Sequence, residues 1–257
     1  MSGIATCAWP SAVSPCRLSA AGPADLAWEW LRRDPVYRQL SPCRQTPGHQ
    51  VIVAAASDAS IARWGCLNLP DAALPWSDTS ILWSADCDPS VLKVMALPLS
   101  GSRSPPFDLA HCGASARIVC RTGVEHVLLR DGAETLRIDV VSGSLLNGPV
   151  SLVHDFEDGS GLEPMVAALR RFFHLWRNGQ LPARPVPASH GMERQALALH
   201  VHDALAEGAS IRDVGISIFG HERVRDDWVG GSLKSQCRRL IALARDMAAG
   251  GYLKLLR

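Results

Sequence analysis

The sequence predicts an α+β fold, with an N-terminal helix, an antiparallel β-rich body and an all-α, helix-turn-helix-like domain at the C-terminus. Three observations support this prediction. Apolar residues repeat at helical spacing near both ends of the chain, an alternating pattern fills the middle, and a Pro-rich stretch precedes the last quarter. With 257 residues, 47% of them hydrophobic, the chain is long enough for one large or two modest cores.

The N-terminal part predicts one short helix. Residues 1–22 are small and Pro-containing, and they are expected to be mobile. ADLAWEWLRR then places Leu26 and Trp30 on one side of a helix, and Asp34-Pro35 opens a further turn. The chain starts without the basic and apolar regions of a secretory leader, and no stretch is long enough to span a membrane. A cytoplasmic protein with reduced thiols is therefore expected.

From about residue 50 to residue 157 the pattern is that of strands and turns. ILWSADC and VLKVMALPL are candidate strands, and residues 116–156 read as an antiparallel meander. Dipeptides typical of tight turns mark its reversals, namely Thr122-Gly123, Asp131-Gly132 and Asn147-Gly148.

A helix with a strongly apolar stripe follows the body. Pro164 fits its first turn, and the stripe runs from Met165 to Trp176 through Phe172 and Phe173. The sheet, the C-terminal helices and a second subunit all remain possible partners for this stripe. QLPARPVPASHG then predicts a linker. The predicted domains are residues 23–179 for the body with both helices, 180–191 for the linker and 192–257 for the helical domain.

The helical domain begins with two helices separated by a tight turn. The first carries an apolar stripe before Gly208, and Ser210 caps the second, which ends at Gly220. The predicted buried residues are Leu197, Val201, Ala204 and Leu205 on the first helix, and Ile211, Val214, Ile218 and Phe219 on the second. The gap from Gly220 to the last helix exceeds the turn of a standard helix-turn-helix. Either this gap forms its own short helix or the last helix packs differently from that of a standard helix-turn-helix. In both cases we expect Trp228 to be buried and to anchor the segment.

The last long helix combines an apolar side with a basic side. Its predicted buried residues are Leu233, Cys237, Leu240, Ile241, Ala244 and Met247. Lys234, Arg238 and Arg245 fall on one line of the opposite side, and small neighbours would let that side approach DNA closely. The residues predicted to contact DNA are Lys234, Arg238, Arg245, Arg239, Ser235, Arg212, Arg223 and Arg225. A merely solvated basic face is the competing interpretation.

The charge of the chain is unevenly distributed. The formal net charge is only +1, but residues 163–257 hold 14 basic and 9 acidic side chains, a net charge of +5. The preceding residues hold 12 basic and 16 acidic side chains, a net charge of −4. This asymmetry is typical of a basic nucleic-acid-binding domain attached to a neutral or acidic body.

The C-terminal motifs resemble those of the RovC-like transcription factor DNA-binding domain family. The resemblance rests on GASIRDVGISIFG, on Trp228 and on RRLIALARDMAAGGYLKLLR. The N-terminal block WEWLRRDPVYR resembles the module that accompanies this family in FseA-type activators, and we interpret it as a docking element. The resemblance implies a bacterial regulator, an activator, that binds double-stranded promoter DNA. We also expect a homo-oligomer, with RNA polymerase or an anti-activator protein as further partners.

Candidates for catalysis or metal binding are weak. His154, Asp155, Glu157 and Asp158 point in alternating directions before a turn, His200 and His202 face different sides of a helix, and neighbours such as His111 and Cys112 point apart. No phosphate-binding Gly loop or metalloprotease motif is present in the sequence. We expect no enzyme activity, no cofactor and no metal. The alternative function is a non-enzymatic interaction or architectural component of a mobile element or secretion locus.

Overall fold

The chain divides into two compact units. The computed structural model describes residues 21–41, 51–54, 59–99, 105–154, 162–184 and 190–257. The helical unit comprises residues 1–34 and 186–255, and the sheet unit comprises residues 35–185 and 256–257. The expected α+β fold class is confirmed. Apart from residues 21 and 22, the N-terminal segment predicted to be mobile lies outside the described residues.

Helices occupy both units. The α-helices of the described part of the chain are α1 (Pro23–Leu31), α2 (Pro35–Leu40), α3 (Leu162–Asn178), α4 (His190–Ala206), α5 (Ile211–Phe219), α6 (His221–Asp227) and α7 (Ser232–Ala248). Short 3₁₀ segments span Ala59–Trp64, Leu109–His111 and Gly251–Leu256. The predicted boundaries put α1 with the body, but the structure groups it with α4 to α7. None of the helices described is both long and apolar enough to cross a membrane.

The described strands form one six-stranded sheet in the order β1-β3-β4-β5-β2-β6. The strands are β1 (Val51–Ala54), β2 (Leu92–Leu97), β3 (Ser115–Arg121), β4 (Val124–Asp131), β5 (Glu134–Ser142) and β6 (Ser151–His154). Strands β3, β4 and β5 form an antiparallel meander, as predicted. The predicted meander also included β6, but this strand pairs antiparallel with β2 at the edge of the sheet.

The expectation of an antiparallel body was wrong for part of the sheet. β1 pairs parallel with β3, and β2 pairs parallel with β5. Alternation of apolar and polar residues predicts a strand, but the direction of its neighbour depends on long connections that this pattern does not encode. ILWSADC forms only an isolated bridge between Trp83 and Cys66, because a turn that starts at Ser84 bends the chain away.

The two hairpins of the meander use residues with positive φ. Thr122 and Gly123 both adopt this conformation, at φ 48° and 82°, which matches the twist of the flanking strands. In the second hairpin Asp131 ends β4, and the turn begins at Gly132 with φ 59°. The predicted reversal at Asp131-Gly132 is therefore shifted by one residue.

The apolar stripe of α3 packs on one face of the sheet, which decides among its three possible partners. Phe172 and Leu175 are buried in a cluster with strand residues such as Ile118 and Ile138. Phe173 was predicted in the same stripe but is 46% exposed. It follows Phe172 directly, and adjacent positions on a helix point about 100° apart.

The opposite face of the sheet carries a buried polar network that the sequence did not predict. The Arg137 guanidinium donates to the carbonyl oxygens of Val127 and Trp83, and to the Asp139 carboxylate at 2.9 Å. His126 Nδ1 lies 2.9 Å from the same carboxylate. Burial alone would raise the pKa of Asp139, but His126 and Arg137 outweigh it and lower that pKa. The network satisfies charges that would otherwise be costly to bury.

Candidate nucleic-acid interface

A partly buried ion pair joins the segment after α1 to α4 within the helical unit. The Arg33 guanidinium, just after α1, donates to both oxygens of Asp203 on α4, at 2.6 and 2.8 Å. It also donates to the fully buried carboxylate of Glu29 at 2.8 Å. Burial alone would lower the pKa of Arg33, but its bonds to Asp203 and Glu29 outweigh this effect and raise the pKa. The WEWLRR segment thus docks on the C-terminal helices, and this contact explains why α1 groups with them.

Helix α4 is more buried than its predicted stripe. Val201 and Ala204 are buried as expected, whereas Leu197 and Leu205 are half-buried. Residues from other sides of the helix are also buried, including Ala198, Leu199 and His200. The reason is that α1, α5 and α7 all contact α4, so residues on more than one side of this helix are buried.

The two histidines of α4 point to different neighbours, as predicted. His200 Nε2 lies 2.9 Å from the Ser217 hydroxyl on α5. The His202 ring is 5.5 Å from the Trp30 ring on α1. Burial lowers the pKa of both imidazoles and favours their neutral forms. They link helices and do not form a shared metal site.

Helices α5, α6 and α7 form the candidate interface region. Ser210 caps α5 and accepts from the Asp213 amide, while the Asp213 carboxylate accepts from the Ser210 amide, as in the predicted capping box. Gly220, at φ 85°, ends α5 and lets α6 begin at once. Of the two predicted alternatives for the gap after Gly220, the structure has the separate short helix. On α5, Val214 is buried, but the other predicted core residues, Ile211, Ile218 and Phe219, are only half-buried.

Trp228 packs closely but is not fully buried, in contrast to the prediction. It is half-buried at the end of α6. A Cβ atom on Gly215 would lie 2.7 Å from Cζ3 of the Trp228 ring. The indole therefore lies against the backbone of α5, where glycine alone leaves room for it.

Helix α7 separates its apolar and basic residues as predicted. All six predicted core residues are buried. Arg238, Arg239 and Arg245 are exposed, together with the small residues Ser235 and Ala242. We call these five residues the α7 face; their spacing puts them on one side of the helix. Lys234 is half-buried, because it lies at the margin between this face and the core.

The α7 face carries positive charge that other side chains do not neutralise. Among the residues described, Arg238, Arg239 and Arg245 have no ion-pair partner. The one acidic residue of α7, Asp246, is paired with Lys254 at 3.1 Å. The three guanidinium groups are therefore available to an anionic ligand.

The three remaining predicted contacts lie on α5 and α6. Arg212, Arg223 and Arg225 are exposed. Arg225 pairs with Asp226 at 2.9 Å, while Arg223 lies 3.9 Å from Asp227 and 5.6 Å from the centre of the Phe219 ring. Within the described chain, none of the three forms a hydrogen bond or ion pair with α7. The structure thus brings together the arginines of α7 but does not join these three to them.

The other chemical candidates are not brought together. His111 Nδ1 turns to Asp108 at 2.8 Å, and the Cys112 thiol donates to the Ala114 carbonyl at 3.6 Å. Burial raises the pKa of the Cys112 thiol, which disfavours a reactive thiolate. Of the acidic cluster, His154 ends β6, while residues 155–158 lie outside the described residues.

Two family models match separate parts of the chain. Residues 159–257 match the model described as T6SS, Transcription factor, DNA binding domain, which includes α7. Residues 8–67 match a proteobacterial transcriptional regulator-like domain, which includes α1. Together they support a DNA-binding transcription regulator. No curated protein matches the chain. The Arg33–Asp203 ion pair therefore joins residues from both matched regions of this regulator.

Proposed function

We propose that this regulator binds double-stranded promoter DNA through the α7 face and activates transcription. The observation that supports the proposal best is the set of three exposed arginines without ion-pair partners. Arg238 and Arg245 are two turns apart, about 10 Å along the axis, so they reach different base pairs or phosphates. The neighbouring Ser235 and Ala242 are small enough to let the helix approach a major groove.

The sequence prediction names Lys234, Arg238 and Arg245 as the main source of affinity. Replacing all three by alanine should leave folding intact and weaken binding to the promoter beside the regulator's own gene. Each lost phosphate contact should reduce the salt slope by about one, and a base-reading arginine should cost about 1–3 kcal/mol at one base pair. Because Lys234 is half-buried, we expect the two arginines to contribute most of the effect.

Fluorescence anisotropy with labelled promoter DNA, measured at several salt concentrations, tests this assignment. Arg38→Ala provides the control, since Arg38 is an exposed arginine of the sheet unit. Unchanged affinity and salt slope in the triple variant would remove the α7 face from the proposal. The same loss in Arg38→Ala would indicate a nonspecific charge effect.

Activation and assembly form the finer part of the proposal. A single recognition helix gives limited specificity, whereas two linked helices on adjacent half-sites raise avidity by about 10² to 10⁴. We therefore propose a cytoplasmic homo-oligomer that acts with RNA polymerase or under an anti-activator protein, without enzyme activity. Light scattering tests the assembly, and a monomer mass with full DNA binding would contradict it. In vitro transcription separates an activator from a repressor.

A further inference from the structure

The sheet unit has an open cavity of about 710 Å³ at the C-terminal end of α3. One wall is the segment Pro105-Pro106-Phe107, and the other is the end of α3. Residues of α3 at this wall include Phe173, Trp176 and Arg177. Proline and aromatic side chains thus form much of the lining, and its charged or polar residues are Arg177 on α3 and Asp108 and His111 on the other wall.

The walls of this cavity are fixed by direct contacts. Trp176 Nε1 donates to the Pro106 carbonyl at 3.3 Å, which ties α3 to the opposite wall. Phe107 exchanges two backbone hydrogen bonds of 2.9 Å with Val150. Gly113 approaches Gly179 so closely that a Cβ atom at Gly113 would overlap the Gly179 carbonyl oxygen. The cavity is therefore preformed, and binding of a ligand costs little free energy for ordering its walls.

The exposed side of α3 beside the cavity combines aromatic surface with positive charge. Phe173 is 46% exposed, and its ring stacks on Trp176, with ring centres 5.8 Å apart and planes at 21°. Arg170 and Arg177 are exposed and lie two turns apart on the same side of the helix as Phe173. In the part of the chain that the structure describes, neither arginine has an ion-pair partner.

We propose that this cavity and the adjoining side of α3 bind an acidic segment of a partner protein, which inserts one apolar side chain. The apolar side chain packs against Phe173 and the proline wall, while its carboxylate neighbours pair with Arg170 and Arg177. Buried apolar anchors surrounded by polar contacts are the usual source of affinity in such sites.

The distribution of charge favours a protein segment over a nucleic acid. Nonspecific binding of single strands uses a groove that supplies cations along the phosphate backbone. Here the two arginines lie on the α3 side alone, and the opposite wall carries Asp108, which is bonded to His111. That hydrogen bond lowers the pKa of Asp108 and keeps its carboxylate charged. A phosphate chain carries a charge on every nucleotide and would bring phosphates beside Asp108, whereas a peptide can place its apolar side chain there and its carboxylates at Arg170 and Arg177.

Two labelled peptides test the proposal on the full chain. The first, of about 12 residues, places Asp and Glu around a central Leu-Phe pair, and the second replaces every acid by Lys. The acidic peptide should bind better, and Phe173→Ala should weaken it about tenfold, as loss of an anchor does. The double variant Arg170→Glu/Arg177→Glu should reverse the preference toward the Lys peptide. The matched controls Leu146→Ala and Arg38→Glu, at exposed positions of the same unit, should bind like the parent.

Several outcomes would overturn the proposal. They are no binding of the acidic peptide, equal binding by Phe173→Ala, and no reversal in the double variant. A single-stranded oligonucleotide that displaces the peptide, and that Phe173→Ala no longer binds, would assign the cavity to nucleic acid instead. Promoter DNA is absent from these measurements, so their result is independent of the function proposed for α7.

Discussion

Replacing Arg33 by methionine should loosen the helical unit. Arg33 is mostly buried, with 13% of its side chain exposed, and it donates to both oxygens of Asp203. The substitution leaves Asp203 as a largely buried carboxylate without this partner, whereas Glu29 keeps Arg32 at 3.3 Å. Removing one partner of a buried ion pair costs about 3–5 kcal/mol, and we expect the lower end because Glu29 stays paired.

Hydrogen exchange of α4 amides, followed by mass spectrometry on the full chain, measures this effect. A loss of about 3 kcal/mol should speed exchange by about two orders of magnitude, unless global unfolding already limits it. The double variant Arg33→Met/Asp203→Asn should recover part of this loss, because it no longer leaves a buried carboxylate without its partner. The control Arg225→Met breaks an exposed pair and should change exchange little. Equal protection of α4 in Arg33→Met and Arg225→Met would refute the reasoning.

Two further predictions concern the same unit. Gly215→Ala should destabilise α5 by about 1–3 kcal/mol in the same exchange assay, because its Cβ would lie 2.7 Å from the Trp228 ring. Gly230→Ala should not destabilise the unit, because its Cβ would lie 3.6 Å from the nearest atom. Equal effects of the two substitutions would contradict the close approach of Trp228 to Gly215. Lowering the pH through 6.5 should also destabilise α4. Burial lowers the pKa of His200 and His202 in the folded chain. Below pH 6.5 the unfolded chain therefore binds more protons than the folded chain, and the free energy of unfolding decreases as the pH is lowered. A variant with both histidines replaced by Gln should lose most of this dependence, and an unchanged slope would contradict it.

The sequence predicts local features of this protein well. The Ser210 cap, the six core positions of α7 and the β3-β4-β5 meander all follow from periodicity and turn residues. Each of these features depends on residues close together in the chain. The α7 face is predictable for the same reason, because the buried stripe of a helix defines its exposed side.

Features that depend on distant residues could not be predicted in this way. Arg33 and Asp203 are 170 positions apart, and nothing in their local sequence indicates that they meet. The same holds for the parallel pairing of β2 with β5. Arg137 and Asp139 look like the solvent-facing positions of a strand, yet they are buried because segments from elsewhere in the sheet unit cover them.

The helical unit is discontinuous, which affects how the regulator is made. The 151 residues from 35 to 185 separate its two parts. At about 5–20 residues per second, a ribosome needs roughly 8–30 s to synthesise them. During that interval α1 has been made, but Asp203 does not yet exist. A chain that terminates early therefore lacks both α7 and the partner of Arg33. Under the function proposed for α7, incomplete products of translation should consequently not compete with the finished protein for DNA.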